Sequence, residues 1–314
     1  MRRIVWVVAV AALGTLSARV DTQQPAADLS WAFPDRIEKP FPEDPAPKMV
    51  PGSTKKYTQA QIDDLLNPPD WFPDQHPPAP QIVTKGHGNA MACGACHLMS
   101  GLGHPESSDL TGLTLPYIVQ QMIDFKSGAR KDVTGKRMNA IAMETTDEEV
   151  RQAAEYFEAL PRRQFQKVME VEMVPKTFLG NGRMRFVDPA GGMEPIGSRI
   201  ISVPENPDRA RLRDPYSGFV NYAPVGSLAR GKALVETGGG KTVSCGICHG
   251  PDLKGQASIP RLAGMHPIYT VRQLVWFKDG TRAGVDAALM KPWVASLTID
   301  DMVAIAAYLA SLAP

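Results

Sequence analysis

The chain has 314 residues, with 34 Lys and Arg against 33 Asp and Glu, so its formal net charge at pH 7 is +1. Hydrophobic residues make up 43% of the chain, which is enough for folded cores, and the length allows two ordinary domains. No long basic run and no alternation of basic with aromatic residues occurs, which argues against nucleic acid as the main partner.

Residues 1–18 have the order of a secretory signal peptide. Arg2 and Arg3 precede the apolar run Ile4–Leu13, and small residues follow up to about Ala18. The run is shorter than the roughly 20 apolar residues that span a bilayer, which favours cleavage over an uncleaved membrane anchor. We therefore expect export to the periplasm, with the cut site placed only approximately.

Residues 19–85 form a proline-rich segment, called here the N-terminal extension. One short helix is expected after Thr58, within TQAQIDDLL. Because the extension also contains Trp31, Trp71 and Phe72, we expect it to pack against the rest of the protein as an extended strap.

All four cysteines lie in two C-x-x-C-H sequences, CGACH and CGICH. A redox disulfide of the thioredoxin type requires a βαβ context, which neither copy has. A zinc site requires four ligands, and each copy offers at most two thiolates and one imidazole. C-x-x-C-H is the attachment pattern for c-type haem, so we expect two covalently attached haems c. Their attachment residues are Cys93, Cys96, Cys245 and Cys248, and the histidines expected at the irons are His97 and His249.

The two motifs belong to an internal repeat with a shift of 152 residues. Without a gap, YIVQQMIDFKSGAR at Tyr117–Arg130 overlays YTVRQLVWFKDGTR at Tyr269–Arg282. We assign the first repeat to residues 86–160 and the second repeat to residues 227–314.

Each repeat is expected to be helical. The overlaid segments have apolar residues at helical spacing and end at Gly128 or Gly280. A separate helix is expected at about Leu228–Thr237, and an amphipathic helix should end each repeat. The pairs that resemble capping boxes at the start of these last helices are Thr146 with Glu149 and Thr298 with Asp301.

The sixth ligand of each iron is predicted to be a methionine. Of the 14 methionines, only Met138 and Met290 match at the shift of 152, and each lies 41 residues after its motif histidine. We expect both in loops before the last helix, with Met143 as an alternative for the first haem. Filling gaps in the core is the commoner role of methionine, and the match in the repeat outweighs it.

The other histidines do not recur in the repeat. We expect His104 and His266 at the surface or in loops, and we expect His76 and His87 to be solvated.

Four basic residues follow the overlaid helices at matching positions: Lys126, Arg130, Lys278 and Arg282. They could neutralise haem propionates, form a docking patch, or only favour the helix C-terminus. The sequence leaves these three roles open.

Residues 161–226, called here the connector, are longer than a linker requires. Three apolar runs, Val168–Val174, Arg183–Val187 and Arg199–Val203, predict a small sheet. The connector could fix the repeats relative to each other or bind a partner.

Each repeat resembles a class I cytochrome c domain, with C-x-x-C-H, a glycine-containing loop, a helix that includes Y-x-x-x-Q, a methionine and a final amphipathic helix. The tandem pair resembles bacterial periplasmic di-haem cytochromes c and the cytochrome subunits of periplasmic dehydrogenases. The resemblance covers about half of the chain and implies a mainly α fold of two tandem domains. One departure is Leu98, where Gly250 follows the second motif.

The resemblance implies an electron carrier or the electron-transfer subunit of a dehydrogenase, rather than an enzyme. Histidine and methionine together fill both axial positions, so the iron changes oxidation state without binding substrate. The expected partners are a periplasmic dehydrogenase as donor and a terminal oxidase or another cytochrome as acceptor, and peripheral membrane association stays open. The alternative is a di-haem enzyme, of the peroxidase or thiosulfate-oxidising type, with one open or unusually ligated haem.

Overall fold

The structure, a computed structural model, describes residues 28–34, 36–42, 44–133 and 137–314, and the predicted signal peptide lies outside them. The N-terminal extension and the first repeat contain helices α1 (Gln59–Ile62), α2 (Gln81–Thr84), α3 (Cys93–His97), α4 (Leu115–Ser127), α5 (Arg137–Glu144) and α6 (Asp147–Ala159). The connector and the second repeat contain α7 (Pro207–Arg211), α8 (Ser227–Thr237), α9 (Gly246–His249), α10 (Pro267–Asp279), α11 (Ala287–Val294) and α12 (Ile299–Ser311).

The helices confirm the repeat and its register. The bounds of α4 and α10 differ by 152 residues at both ends, and so do those of α6 and α12. Gly128 and Gly280 end α4 and α10 with φ of 76° and 82°, a conformation that glycine adopts without steric cost. The two predicted capping boxes are present at α6 and α12, and a third, of Thr58 with Gln61, begins α1.

Each repeat has its own apolar core. In the first repeat, Tyr117 and Ile118 of α4 pack with Ala154 and Phe157 of α6. In the second repeat, residues of α8, α10, α11 and α12 pack together around Met302. Burial of one face of each of these helices is the main source of their stability.

Helices α8 and α12 approach each other closely at Gly231. A Cβ atom at this position would lie 2.0 Å from the carbonyl oxygen of Ala304. Only glycine therefore permits the observed separation of the two helices.

The connector contains seven short strands: β1 (Gln166–Val171), β2 (Met173–Pro175), β3 (Thr177–Leu179), β4 (Arg185–Val187), β5 (Met193–Pro195), β6 (Ile201–Pro204) and β7 (Phe219–Pro224). Strand β7 is central in a three-stranded sheet, parallel to β1 and antiparallel to β6. The pairs β2–β5 and β3–β4 are antiparallel. The predicted strands are confirmed, but they are divided among three small sheets rather than one, and β7 was not predicted.

The N-terminal extension packs against distant parts of the chain, as predicted. Trp31 is buried with Ile200 of the connector and with Ile268 and Val303 of the second repeat. The indole nitrogen of Trp71 donates to the carbonyl oxygen of Leu212 at 2.7 Å. The extension therefore joins the connector to the second repeat.

The two repeats meet along a short backbone seam, residues 129–131 against residues 281–283. The amide of Ala283 donates to Ala129 at 2.8 Å, and the amide of Lys131 donates to Thr281 at 3.1 Å. Arg130 and Arg282 form an antiparallel bridge between these bonds. Because residues 129–131 and 281–283 are equivalent in the repeat, the contact resembles the interface of a twofold-symmetric dimer.

Within the described ranges, no single helix is long and apolar enough to cross a membrane. Helices α11 and α12 pass that length and composition test only as a pair, bent by 119°.

Candidate haem-attachment sites

The two motif histidines make the same hydrogen bond in both repeats. The Nδ1 atoms of His97 and His249 lie 2.7 Å from the carbonyl oxygens of Ser108 and Pro260, respectively. A carbonyl oxygen only accepts, so the proton is on Nδ1 and the lone pair is on Nε2. Burial lowers the pKa of both imidazoles, which favours the neutral form that binds a metal.

No disulfide joins any of the four cysteines. Burial raises the pKa of the Cys93 thiol to about 12 and that of the Cys245 thiol to about 11. A cysteine that works in disulfide exchange has a lowered pKa, so this environment does not suit a thiol oxidoreductase.

The backbone after each motif turns in the same way although the residues differ. Leu98 has φ 63° and ψ 160°, and Gly250 has φ 84° and ψ 152°. Glycine takes this conformation freely, whereas leucine is strained there by about 1–3 kcal/mol. The two repeats therefore differ in the residue at this position, Leu98 or Gly250, but not in the backbone conformation. The side chain of Leu98 is buried, which offsets part of the strain.

The predicted ligand Met138 lines a cavity of about 760 Å³ together with Cys96 and His97. It is the second residue of α5, so the predicted loop location is wrong. The alternative, Met143, is 69% exposed on the same helix. The structure therefore brings Met138 to the cavity that is lined by Cys96 and His97 of the first motif.

Met290 lies in α11, so the predicted loop location is wrong for this methionine as well. Its side chain is half-buried and packs against the apolar core that Cys245 also contacts. The second methionine and the second motif therefore border one core.

The first cavity suits a group that carries carboxylates. Arg130 Nε and Gln273 Nε2 are buried without a hydrogen-bond partner among the described residues, and both residues line this cavity. A haem carries two propionates, which accept from such donors. With Cys96 and the imidazole of His97 lining the same space, the donor set fits a haem.

Arg130 and Arg282 are buried in the seam between the repeats rather than exposed in a docking patch. Each guanidinium donates to the side chains of both Gln121 and Gln273, at distances between 2.7 and 3.0 Å. Each also donates to the tyrosine of the other repeat, Arg130 to Tyr269 and Arg282 to Tyr117. Sequence reasoning did not assign a role to these glutamines and tyrosines, although their identity in the repeat was a signal.

The two lysines of the predicted basic set behave differently from the arginines. Lys126 is exposed and lies 3.5 Å from Asp147. Lys278 is also exposed and donates to the carbonyl oxygen of Leu297 at 2.6 Å. Both therefore lie at the surface near helix ends.

The histidine predictions hold only in part: His266 lies in the loop before α10, as predicted, but it is not at the surface, and His76 is not solvated. His266 is fully buried, with Nε2 2.9 Å from the carbonyl oxygen of Leu102 and Nδ1 2.8 Å from Gln166 Nε2. The His76 side chain is largely buried next to Asp70. His87 is exposed, as predicted, and His104 lies half-buried in a turn at the first cavity.

Comparison with known proteins gives three informative relatives and one family. A family profile described as Cytochrome c matches residues 228–313. The cytochrome c4 of Stutzerimonas stutzeri is 25% identical over 235 residues, which cover 72% of this chain and 87% of that protein. The cytochrome c-554(548) of Halomonas halodenitrificans is 40% identical over 72 residues, 23% of this chain and 87% of that protein. A thiosulfate dehydrogenase electron acceptor from Stutzerimonas stutzeri is 27% identical over 237 residues, 74% of this chain and 85% of that protein.

Proposed function

Because the chain belongs to the cytochrome c family and is a di-haem electron-transfer cytochrome, we propose that both of its irons have histidine and methionine as axial ligands. The proposed pairs are His97 with Met138 and His249 with Met290. The haems c are covalently bound, two per chain, and we propose Cys93, Cys96, Cys245 and Cys248 as their attachment residues.

One observation carries this assignment. In both repeats the histidine Nδ1 donates to a backbone carbonyl oxygen 11 residues later, which fixes the ring and directs Nε2 away from that bond. The methionines lie at matching positions in the repeat, and Met138 borders the cavity of His97. The same ligand pair in both repeats is expected from this symmetry.

The role of the protein is to hold the ligands and to exclude water. A haem with both axial positions filled supplies one-electron chemistry with little rearrangement, and thioether ligation raises its reduction potential relative to two histidines. The buried Arg130 guanidinium adds positive charge near the first cavity, which favours the reduced state.

We place the protein in the periplasm, with redox proteins as partners. The signal-like residues 1–18 support export. One relative is named as the electron acceptor of a thiosulfate dehydrogenase, which supports a periplasmic dehydrogenase as the donor. A terminal oxidase or another cytochrome would be the acceptor.

Substitution of the methionines tests the ligand assignment. The near-infrared charge-transfer band of methionine-ligated ferric haem should fall by half in Met138→Ala and in Met290→Ala, and it should vanish in the double variant. Met143→Ala is the matched control, because Met143 lies on the same helix as Met138 but is exposed.

Two results would contradict the assignment. A full band in Met138→Ala together with a lowered band in Met143→Ala would make Met143 the ligand of the first haem. High-spin spectra of one haem in the unaltered protein would show an open iron.

A further inference from the structure

We propose that partner proteins exchange electrons with this protein only at the second haem, because the N-terminal extension and the connector cover the matching edge of the first. This inference rests on the proposed function, since it assumes that the haems occupy the two C-x-x-C-H motifs. The second repeat then carries the surface that binds partner proteins. The haem of the first repeat exchanges electrons only with the haem of the second.

Residues at matching positions of the two repeats differ strongly in exposure. Ala95, between the first two cysteines, is 1% exposed, and Ile247, between the second two, is 68% exposed. Ile141 of α5 is 7% exposed, and its counterpart Trp293 of α11 is 44% exposed. Both differences have the same direction, so the edge of the first motif is covered and that of the second is open.

The connector supplies one part of the cover. The guanidinium of Arg213 donates to the carbonyl oxygen of Ala95, inside the first motif. Arg213 has φ 56°, a conformation that costs a non-glycine residue free energy. The preceding residue, Leu212, accepts the hydrogen bond from Trp71, so the turn is held from its other side as well.

The N-terminal extension supplies the other part. The amide of Ala92, next to Cys93, donates to the carbonyl oxygen of Leu65 at 3.0 Å. Asp63 lies 3.9 Å from the guanidinium of Arg213, so the extension and the connector also contact each other. Asp63, Leu65, Arg213 and Asp214 all line the first cavity.

The second repeat has exposed apolar side chains in its motif and on both sides of its proposed ligand in the sequence. Val285 is 78% exposed and Leu289, next to Met290, is 66% exposed. Ile247 and Trp293 are exposed as well, whereas their counterparts Ala95 and Ile141 in the first repeat are buried. The charged residues within this stretch, Asp286 and Lys291, have opposite signs and cancel.

This surface fits one kind of partner, a redox protein whose own cofactor lies beneath an apolar, weakly charged surface. Contact between two apolar surfaces excludes water and brings the cofactors close together. Because little net charge is present, the association rate should depend weakly on ionic strength.

A pair of matched substitutions tests the inference. Val285 and Val133 are equivalent in the repeat, and both are exposed, Val133 by 51%. The oxidised di-haem protein is mixed in a stopped-flow instrument with a reduced small blue copper protein, and the second-order rate constant is measured from haem absorbance. Val285→Gln should lower the rate constant at least fivefold, and Val133→Gln should change it less than twofold. Equal effects, no effect of either substitution, or a larger effect of Val133→Gln would overturn the proposal.

Removal of the cover gives a second, independent arm. Arg213→Ala should open the first edge and create a second site of exchange, so that Val133→Gln lowers the rate constant in this background. If Val133→Gln stays without effect in the Arg213→Ala background, the proposed cover is wrong. A reductive titration tests the proposed function alone. Uptake of two electrons per chain with the spectra of methionine-ligated haem would support the proposed ligands whichever haem exchanges electrons with partners.

Discussion

Arg130 of the first repeat and Arg282 of the second repeat donate to the same two side-chain oxygens, those of Gln121 and Gln273. The backbone bridge between the two arginines places them at the centre of the seam. Burial next to Arg130 lowers the pKa of Arg282, since two guanidinium groups share one desolvated site. The two repeats are therefore joined by a buried hydrogen-bond network that contains both guanidinium groups.

Replacing one of these cations should shift a reduction potential. In Arg130→Gln, the midpoint potential of the first haem should fall by tens of millivolts, because about 1 kcal/mol of lost interaction with the reduced state corresponds to about 40 mV for one electron. Spectroelectrochemical titration measures the shift. Lys126→Gln removes an exposed cation four residues earlier and should have a much smaller effect, because solvent screens it. Equal shifts in the two variants would contradict the role of the buried charge.

His266 should make stability depend on pH. Burial lowers its pKa to about 4, whereas an unfolded histidine titrates near 6.5. Below about pH 6.5 the unfolded chain therefore binds a proton that folded His266 does not, and up to about 1.4 kcal/mol of stability is lost per pH unit until about pH 4. Denaturant unfolding of wild type and His266→Gln at several pH values measures this. The free-energy difference between them should change in the variant's favour by about 2–3 kcal/mol from pH 7 to pH 4.5, and a difference that stays constant would contradict the prediction.

Gly231→Ala should separate the first and last helices of the second repeat. The added Cβ would meet the carbonyl oxygen of Ala304, which belongs to the backbone of α12 and cannot rotate away. We expect the free energy of unfolding to fall by about 2–3 kcal/mol, the cost of an overpacked core. Lys232→Ala is the control, because Lys232 is exposed on the same helix. Similar stability of the two variants in thermal or denaturant unfolding would refute the close approach.

Local signals predicted the helices and the two motifs well. The C-x-x-C-H sequences, the capping boxes and the glycines at Gly128 and Gly280 each act within a few residues, so they can be read without the fold. Comparison of the two repeats then selected Met138 and Met290 from the 14 methionines, because only these two match at the shift of 152 residues.

The helices that contain these methionines were missed for a local reason. Pro292 lies inside α11, and proline within a short apolar segment normally indicates a loop. In α5, the residues before Arg137 carry turn-forming types and no cap signal of the kind seen at Thr146.

Other errors arose from contacts between segments far apart in the chain. His266 is buried because Leu102 and Gln166 supply partners for both ring nitrogens, and no periodicity near residue 266 reports this. The roles of Arg130 and Arg282 stayed open for the same reason, because their partners lie in both repeats. Strand β7 was missed because its pairing with β1 is parallel and joins residues more than 50 positions apart.

The anchoring of the N-terminal extension has a consequence for the order of folding. Arg272 donates to the carbonyl oxygen of Ala32 across 240 residues, and Trp31 packs against Val303 near the other end of the chain. Such contacts have a very high sequence separation, so they form slowly and late. Trp31 and Ala32, which are synthesised early, therefore cannot form these contacts until α12 has been synthesised.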